Sequence, residues 1–361
     1  MRKIAKYTVV AINAFFALLY IFGLLAAVVP ANKFVWFSYF GLIFPILTVI
    51  QICFALFWLC KREWWFLLSL LLLIFSYQSV NQVFSIPLHK AKNSEKSQQI
   101  TLLTYNVSLF GGEKCFDDIV QFIADTDADI VCLQEFGFYH KSSRLNQQKL
   151  LERFDAIYPY RHIWYKNQRN RFWWGVATFS KFPIVNKKKV EYASAYNVSV
   201  YSDIVIAAGD TVRVFNNHLE SNKLTSSDLK KYKLSAETFD NDGLRSATET
   251  MANKLGAAYR ARAKQANTVA AAIARTPYPV VVCGDFNDVA QSYAYHTLAR
   301  GMTDAVTATR WGYNYTFYTN GLLVGIDHIL LDERHFAPIA SNIAHIDFSD
   351  HYPVVATFAV K

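Results

Sequence analysis

The sequence predicts a mixed α/β or α+β domain over residues 100–361, preceded by membrane-spanning helices within residues 1–86. The chain is 53% hydrophobic and its mean hydropathy is positive, and the apolar excess is concentrated at the N-terminus. Beyond residue 100, short runs rich in β-branched residues alternate with a few helical patterns, which is typical of a sheet-containing domain. A polar, charged stretch over residues 87–99 separates the two parts and predicts a linker.

Three apolar stretches predict three transmembrane helices. They cover Thr8–Val29, Phe34–Leu59 and Trp64–Phe84, and none of them contains a charged residue. Each is long enough to cross a bilayer as a helix, and Pro30 ends the first. We therefore predict an integral protein of a plasma or inner membrane.

Basic residues flanking these stretches predict the orientation. Three lie within residues 2–6, before the first span, and Lys61–Arg62 lie between the second and third spans. Because basic residues favour the cytoplasmic side, three spans would place the soluble domain on the non-cytoplasmic face. Three lysines within residues 90–96 weaken this asymmetry.

The net charge of +9 belongs mostly to the N-terminal region. Residues 1–99 carry nine basic and two acidic residues, whereas residues 100–361 carry 28 basic and 26 acidic ones. The soluble domain therefore lacks the strong positive charge of a typical nucleic-acid binder, which disfavours that function without excluding it.

Hydrophobic periodicity predicts the elements of the soluble domain. Strands are predicted at 100–107, 128–136, 175–184, 198–208, 211–219, 280–283, 326–331 and 352–360, and helices at 116–124, 145–154, 251–275 and 293–300. Gly209-Asp210 predicts a hairpin turn. Residues 220–250 form a polar, partly helical insert, for which we hypothesise a lid because it follows His218.

The most informative stretch is Pro279–Asp288, PVVVCGDFND. A buried strand there runs into Gly284, and Asp285 and Asn287 follow two residues apart. Residues at i and i+2 of an extended chain point to one face, so a carboxylate and an amide would lie side by side. A base or metal ligand beside a neutral donor suits the activation of water.

Polar residues also lie at the ends of other predicted strands, three of them where a strand ends and the rest at or just before the start of a strand. They are Asn106, Glu135, His218, Asp327, His328, Ser349, Asp350 and His351. Each one alone is typical of a cap or a turn. If the strand ends share one edge, however, they form a cleft with several carboxylates and two histidines. Such oxygen-rich ligands suit Mg²⁺ or Mn²⁺ better than Zn²⁺.

The motifs TYNV, LQE, GVATFSKFPI, NHLE, GDFN, IDHIL and SDHYPV occur in that order. Together they resemble the endonuclease/exonuclease/phosphatase superfamily, which includes DNase I-like nucleases, inositol-polyphosphate phosphatases and neutral sphingomyelinases. The resemblance spans residues 100–361 and implies an α+β fold of four layers, α/β/β/α, with the site at one end of two packed sheets.

The resemblance also implies a metal group and a catalytic group. The metal group would bind Mg²⁺ or Mn²⁺ through Glu135, supported by Asn106 and Asp350. The catalytic group comprises Asp285, Asn287, His218, Asp327 and His351.

Each member of the catalytic group has an implied role. Asp285 would orient and deprotonate the attacking water, and Asn287 would hold that water or a phosphate oxygen. His351, oriented by Asp327, would donate to the phosphoryl group, and His218 would contact the phosphate.

Two positions depart from the family pattern. Gly325 stands where several members carry an arginine, which puts one substrate contact in doubt, and His328 stands where tyrosine is frequent.

Two further stretches lie outside these motifs, and the first is open to more than one interpretation. Tyr158–Trp174 is aromatic and basic, with Trp164, Arg169, Arg171, Phe172, Trp173 and Trp174. It could stack on single-stranded bases, rest on a bilayer, or form a loop that packs its tryptophans on the domain. Lys187–Lys189 predicts a solvated turn.

These observations favour a membrane-anchored, metal-dependent phosphoester hydrolase. Its partners would be the lipid bilayer and a phosphoester substrate, with a lipid favoured and nucleic acid possible, and no protein partner is predicted. A membrane-tethered nuclease is the first alternative. A catalytically inactive interaction module is the second, and it is disfavoured because Glu135, Asp285 and His351 are all present.

Overall fold

The computed structural model describes residues 2–87, 98–139, 145–168, 172–207, 209–319 and 322–361. Most of the predicted linker, residues 88–97, lies outside the described residues, as do Arg169 and Arg171.

The N-terminal region forms five helices. They are α1 (Arg2–Leu25), α2 (Trp36–Leu42), α3 (Phe44–Cys60), α4 (Phe66–Phe75) and α5 (Tyr77–Val83). Helix α1 is long and apolar enough to cross a membrane, whereas the pairs α2–α3 and α4–α5 are bent by 68° and 71°. The described residues therefore contain one continuous span, or up to three if each bent pair is one span. Pro45 lies in the first turn of α3, where the missing N–H favours a helix start over an unbroken helix.

The following elements complete the chain. The strands are β1 (Phe84–Ser85), β2 (Gln99–Asn106), β3 (Ile130–Tyr139), β4 (Tyr160–Gln168), β5 (Phe172–Ser180), β6 (Ile184–Val190), β7 (Val198–Ala207), β8 (Asp210–His218), β9 (Val280–Asp285), β10 (Met302–Asp304), β11 (Gly312–Tyr313), β12 (Phe317–Thr319), β13 (Leu322–Val324), β14 (Asp327–Asp332), β15 (Phe336–Ile343) and β16 (Val354–Val360). The helices are α6 (Ser108–Gly112), α7 (Phe116–Thr126), α8 (Gln147–Asp155), α9 (Ser226–Glu237), α10 (Asn241–Ile273), α11 (Tyr293–Leu298) and α12 (Ala305–Thr309).

Two six-stranded sheets pack face to face. Their strand orders are β10-β14-β9-β8-β7-β6 and β15-β16-β2-β3-β5-β4. An apolar core that includes Leu102, Val281 and Ile329 lies between them. Helices α7 and α8 cover the outer face of one sheet, and α10 and α11 cover the other. The predicted α+β fold of four layers is confirmed.

Two sequence interpretations are corrected by the strands at the edges. Lys187–Lys189 does not form a turn but lies within β6, an edge strand of its sheet. Lysines on an edge strand hinder pairing with another chain, so they are compatible with a strand. Most of the aromatic stretch Tyr158–Trp174 likewise forms β4 and the start of β5.

The insert at residues 220–250 contributes α9 and the first part of α10. Helix α9 starts with a capping box at Thr225 and Asp228, and Asp228 also pairs with Lys254 of α10 at 2.7 Å. The two helices therefore pack on each other, and the lid hypothesis stays a prediction.

The N-terminal helices pack directly on the soluble domain. The Tyr39 hydroxyl donates to the Ala252 carbonyl at 2.7 Å, and the Gln291 amide donates to the Gly23 carbonyl at 3.2 Å. At the far end of the helices, Lys6 pairs with Glu63 at 2.7 Å. The loop after α1 and the segment after α5 thus lie on the side of the soluble domain.

Sheet topology brings the polar strand ends to one edge. β2 and β3 are parallel, with Asn106 opposite Gln134, and β8 and β9 are parallel, with His218 opposite Asp285. The antiparallel strand β14 starts at that same edge, with Asp327 opposite Asp285. Strand ends from both sheets therefore meet at one end of the sandwich.

Candidate active site

Asp285 lies at the centre of this cluster and is buried. The Asn287 amide N–H donates to Asp285 Oδ1 at 2.7 Å, and its side-chain Nδ2 donates to Oδ2 at 3.0 Å. Asn106 Nδ2 donates to the same Oδ2 at 3.0 Å. Burial raises the pKa of Asp285 and the cation of His351 opposes that rise. Three N–H donors thus hold the Asp285 carboxylate in place, and its raised pKa makes it a stronger base than an ordinary aspartate.

His351 is oriented by a second carboxylate. Its Nδ1 lies 2.9 Å from Asp327 Oδ2, and Thr316 Oγ1 donates to the same oxygen at 2.6 Å. The other ring nitrogen, Nε2, lies 3.8 Å from Asp285 Oδ2. Burial alone lowers the pKa of His351, but Asp327 and Asp285 outweigh it and raise the pKa to about 10. The imidazolium therefore presents an N–H to the cleft at neutral pH.

His218 is the second histidine and has the opposite character. It is fully buried, and Nε2 lies 3.7 Å from both Glu135 Oε1 and Asp285 Oδ2. Burial, reinforced by the charge of His351, lowers its pKa to about 3. Neither ring nitrogen has a hydrogen-bond partner among the described residues, so a neutral imidazole faces two carboxylates.

Glu135 reaches the cleft because β3 contains a bulge. The register shifts between Gln134 and Phe136, and Glu135 has a φ of +50°. A bulge re-aims the side chain of its extra residue, and strained backbone of this kind occurs at functional sites. The side chain is 19% exposed. Burial, with the charges of Asp350 and Asp285 adding to it, raises the pKa of Glu135 to about 8 against the opposing effect of His351.

The remaining predicted residues surround this core. Asn106 accepts from the Ser108 N–H at 3.1 Å, and its backbone carbonyl accepts from Ser349 Oγ at 2.8 Å. Asp350 is exposed, and its Oδ1 accepts from the same Ser349 hydroxyl at 3.3 Å. Asp350 thus lies at the rim, and it acts on Glu135 and His351 through its charge.

Two glycines allow close approach of the backbone near the site. Gly284 has a φ of +123°, and a Cβ there would lie 2.0 Å from the Asn217 carbonyl oxygen of the neighbouring strand. A Cβ at Gly325 would lie 2.1 Å from the Asn314 carbonyl oxygen. A side chain at Gly325 would therefore require the Asn314 backbone to shift.

His328 is a structural residue of β14. Its Nδ1 lies 3.3 Å from Asp304 Oδ2, and its ring packs between Phe286 and Tyr295. This environment agrees with the interpretation of His328 as a strand residue rather than a catalytic one.

The donor set fits a divalent cation. The ligand atoms of Asp285, Asp327 and His351 lie within 4.8 Å of one another, and His218 Nε2 lies 3.7 Å from both Asp285 and Glu135. Because His351 is an imidazolium, the carboxylates are the groups available to a metal ion. Burial first, and the charges of Asp350 and Asp285 in addition, destabilise the Glu135 anion, and a bound cation would offset both effects. Carboxylate and amide oxygens are the ligands that Mg²⁺ and Mn²⁺ prefer.

Sequence reasoning missed Thr316, which supports the Asp327–His351 pair. Thr316 lies in a loop between β11 and β12, and nothing in its neighbourhood distinguishes it from other hydroxyl residues. It also missed Arg262. This arginine lies on the same helix face as the alanines of α10 and Val269, and a charged residue on an apolar helix face could have been noticed in the sequence.

Two family models match the chain. The model described as the endonuclease/exonuclease/phosphatase family matches residues 103–351. A second, described only as a domain of unknown function, matches residues 6–83. A comparison with curated proteins finds no significant match.

Solved structures show the same fold. An endonuclease/exonuclease/phosphatase from Beutenbergia cavernae is 16% identical, and the match covers 73% of this chain and 72% of that one with a TM-score of 0.52. Beta toxin from Staphylococcus aureus is 20% identical, with 71% of this chain and 99% of that one covered and a TM-score of 0.50.

Proposed function

Because the chain belongs to the endonuclease/exonuclease/phosphatase family, whose members are typically hydrolases of phosphoester bonds, we propose that it is a membrane-anchored, divalent-metal-dependent phosphoester hydrolase. Its substrate is a membrane-associated phosphodiester or phosphomonoester. The observation that carries this proposal is the pairing of a buried carboxylate, Asp285, with a cationic histidine, His351, 3.8 Å away.

Asp285 and His351 provide a base and a donor on one cleft. Asp285 takes a proton from the attacking water as the water oxygen forms its bond to phosphorus, and Asn287 holds the carboxylate in place. His351 Nε2 donates to a phosphoryl oxygen, where negative charge develops. The ester oxygen leaves with the electron pair of the broken P–O bond and takes a proton from solvent. The Asp327 carboxylate stabilises the imidazolium, and neutral His218 adds a donor without adding charge.

Glu135 is the residue we assign to the metal, with Asn106 and Asp350 supporting it. Asp327 is less suited because its Oδ2 is already engaged by His351 and Thr316. A bound Mg²⁺ or Mn²⁺ supplies charge neutralisation for the phosphoryl oxygens.

Direct packing of α1 and α2 on the soluble domain favours a lipid substrate. Contacts such as Tyr39 with Ala252 and Gln291 with Gly23 hold the site close to the apolar helices, where lipid phosphoesters are concentrated. The near-neutral charge of residues 100–361 also disfavours a long nucleic acid.

The proposal is tested with the full chain in detergent micelles and Mg²⁺. Mixed liposomes of phospholipids and sphingolipids, and supercoiled plasmid, are supplied in parallel. We expect phosphoester cleavage in the liposomes, loss of activity with EDTA, and a decrease of about 10²–10⁴-fold in kcat for His351→Ala.

A matched control is His345→Ala, a histidine outside the cleft that contacts Tyr315 and Tyr352. It should retain the activity of the wild type. Plasmid nicking without lipid turnover would make the protein a membrane-tethered nuclease. No metal-dependent turnover of either substrate would contradict the proposal and favour an inactive interaction module.

A further inference from the structure

Arg262 of α10 is a fully buried arginine that makes none of the contacts described above. It is the largest side chain in the described residues with less than 2% exposure. A buried guanidinium strongly destabilises the fold unless it is paired and hydrogen-bonded. The partners of Arg262 therefore indicate its role in the structure.

Those partners lie on two catalytic loops. Arg262 Nε donates to Asp288 Oδ2 at 3.0 Å, and Asp288 directly follows Asn287. Arg262 Nη1 donates to the Glu220 carbonyl and to Asn222 Oδ1, each at 2.8 Å, and these residues closely follow His218. One guanidinium thus joins the loop after β8 to the loop after β9.

A second layer of contacts joins the same two loops nearer the cleft. Asn287 Nδ2 donates to the Leu219 carbonyl at 3.0 Å, and the Leu219 N–H donates to the Asp285 carbonyl at 3.0 Å. Asn287 has a φ of +53°, in the left-handed region that asparagine adopts more readily than other residues with a side chain, and the surrounding hydrogen bonds hold it there.

Neighbours on α10 fix Arg262 itself. Its guanidinium lies 4.7 Å from the ring centroid of Tyr259, and Gln265, one turn further on, accepts from the Glu220 N–H at 2.8 Å. The arginine therefore has little freedom, and its planar fork sets the spacing of the two loops.

We infer that Arg262 is a positioning residue that holds the His218 and Asn287 loops in register, so that Asp285, Asn287 and His218 converge on the reacting phosphate. The inference rests on the proposed function. Arg262 acts through its hydrogen bonds to Asp288, Glu220 and Asn222.

The main test is Arg262→Lys in the full chain. A lysine keeps the buried positive charge beside Asp288 but cannot reach all three partners, because its donors radiate from one atom. Turnover is measured with Mg²⁺ on two small soluble esters, para-nitrophenyl phosphate and bis-para-nitrophenyl phosphate. We expect kcat to fall about 10- to 100-fold, because a displacement of about 1 Å has effects of that size, while KM stays within about threefold.

Two further variants separate positioning from stability. Val269→Ala creates a cavity in the apolar core beneath α10 but removes none of the hydrogen bonds through which Arg262 joins the two loops. It should lower the melting temperature and leave kcat within about twofold of the wild type. The double variant Arg262→Met with Asp288→Asn removes both charges, so it should regain much of the melting temperature lost in Arg262→Met alone but not its kcat.

The outcomes are distinguishable. If the wild type is active and Arg262→Lys keeps at least half of its kcat, the inference is wrong while the proposed function stands. If kcat in all variants simply follows the melting temperature, Arg262 is only structural and the inference is again wrong. If the wild type turns over neither soluble ester nor any lipid, the proposed function fails and the inference with it.

Discussion

Residues 108–113, which follow Asn106, all have positive φ values between 46° and 72°. Four of them are not glycine, and each non-glycine residue in a left-handed turn costs about 1–2 kcal/mol. The turn is held by the Asn106 side chain, which accepts from the Ser108 N–H at 3.1 Å, and by Phe110, which is fully buried against Phe136 and Phe154. Packing and a hydrogen bond therefore impose the conformation.

This strain predicts a stabilising substitution. Ser108 has a φ of +46°, and glycine adopts that conformation without the steric cost of a Cβ. After subtraction of glycine's larger loss of chain entropy, we expect Ser108→Gly to raise the free energy of unfolding by about 0.5–1 kcal/mol. Chemical denaturation in micelles measures the change.

The matched control is Ser246→Gly, an exposed serine within α10. Glycine in a helix interior should lower the free energy of unfolding by about 0.5–1 kcal/mol. A decrease for both variants would show that the turn at 108–113 is not strained in solution.

At the scale of elements, β4 carries a buried histidine between the sheets. His162 Nδ1 lies 2.9 Å from Ser202 Oγ on β7, and only 7% of the residue is exposed. Burial, reinforced by the charge of Lys187 on β6, lowers the pKa of His162 to about 4. In the unfolded chain the pKa of His162 is about 6.5, so the unfolded chain binds this proton at a higher pH than the folded protein does.

This difference predicts a loss of stability in mild acid. The contribution of neutral His162 is fully present above about pH 6.5 and is lost as the pH falls from there towards 4. Between pH 7 and pH 4.5, the free energy of unfolding of the wild type should fall by about 2–3 kcal/mol more than that of His162→Gln. Denaturation curves at a series of pH values test this, and parallel curves for both proteins throughout would contradict it.

The elements that the sequence predicted correctly share a local signal. Val280–Asp285 and Ile130–Tyr139 both begin with runs of β-branched and apolar residues. This local composition is enough to identify them as strands. Their polar ends became a site prediction because the ends of parallel strands meet at one edge, which β2–β3 and β8–β9 confirm.

The elements that were missed depend on tertiary context. β6 has lysines on an edge strand, and local composition does not distinguish that from a turn. The bulge that turns Glu135 into the cleft exists only because β5 pairs on both sides of it. The bends at Ile43 and Ser76 divide apolar stretches that hydropathy treats as continuous.

At the scale of the whole molecule, the N-terminal helices pack directly on the soluble domain. Tyr39 of α2 contacts the ring of Tyr259 edge-on at 5.7 Å, and it donates to Ala252 on the same helix. Val83, at the end of α5, accepts from the Asn314 N–H at 3.1 Å. Contacts at both places join the two regions without the linker.

Gly41 lies at a close approach between α2 and the soluble domain. A Cβ at Gly41 would lie 2.4 Å from the Gln291 carbonyl oxygen and 2.7 Å from the Ala26 Cβ. Gln291 also donates to the Gly23 carbonyl, so the same residue binds α1 and touches α2. A side chain at position 41 must therefore push α2 away from the soluble domain.

We accordingly predict that Gly41→Val destabilises the soluble domain although it lies in the N-terminal helix α2. Overpacking of this kind costs about 1–3 kcal/mol, which corresponds to a decrease of about 2–12 °C in the melting temperature of a domain of this size. Near-ultraviolet circular dichroism of the full chain in micelles measures it. Ile46→Val, a change at an exposed position of α3, is the matched control and should leave the melting temperature unchanged. If Gly41→Val also melts like the wild type, the helices only tether the domain, and the packing of α2 against Gln291 contributes nothing to its stability.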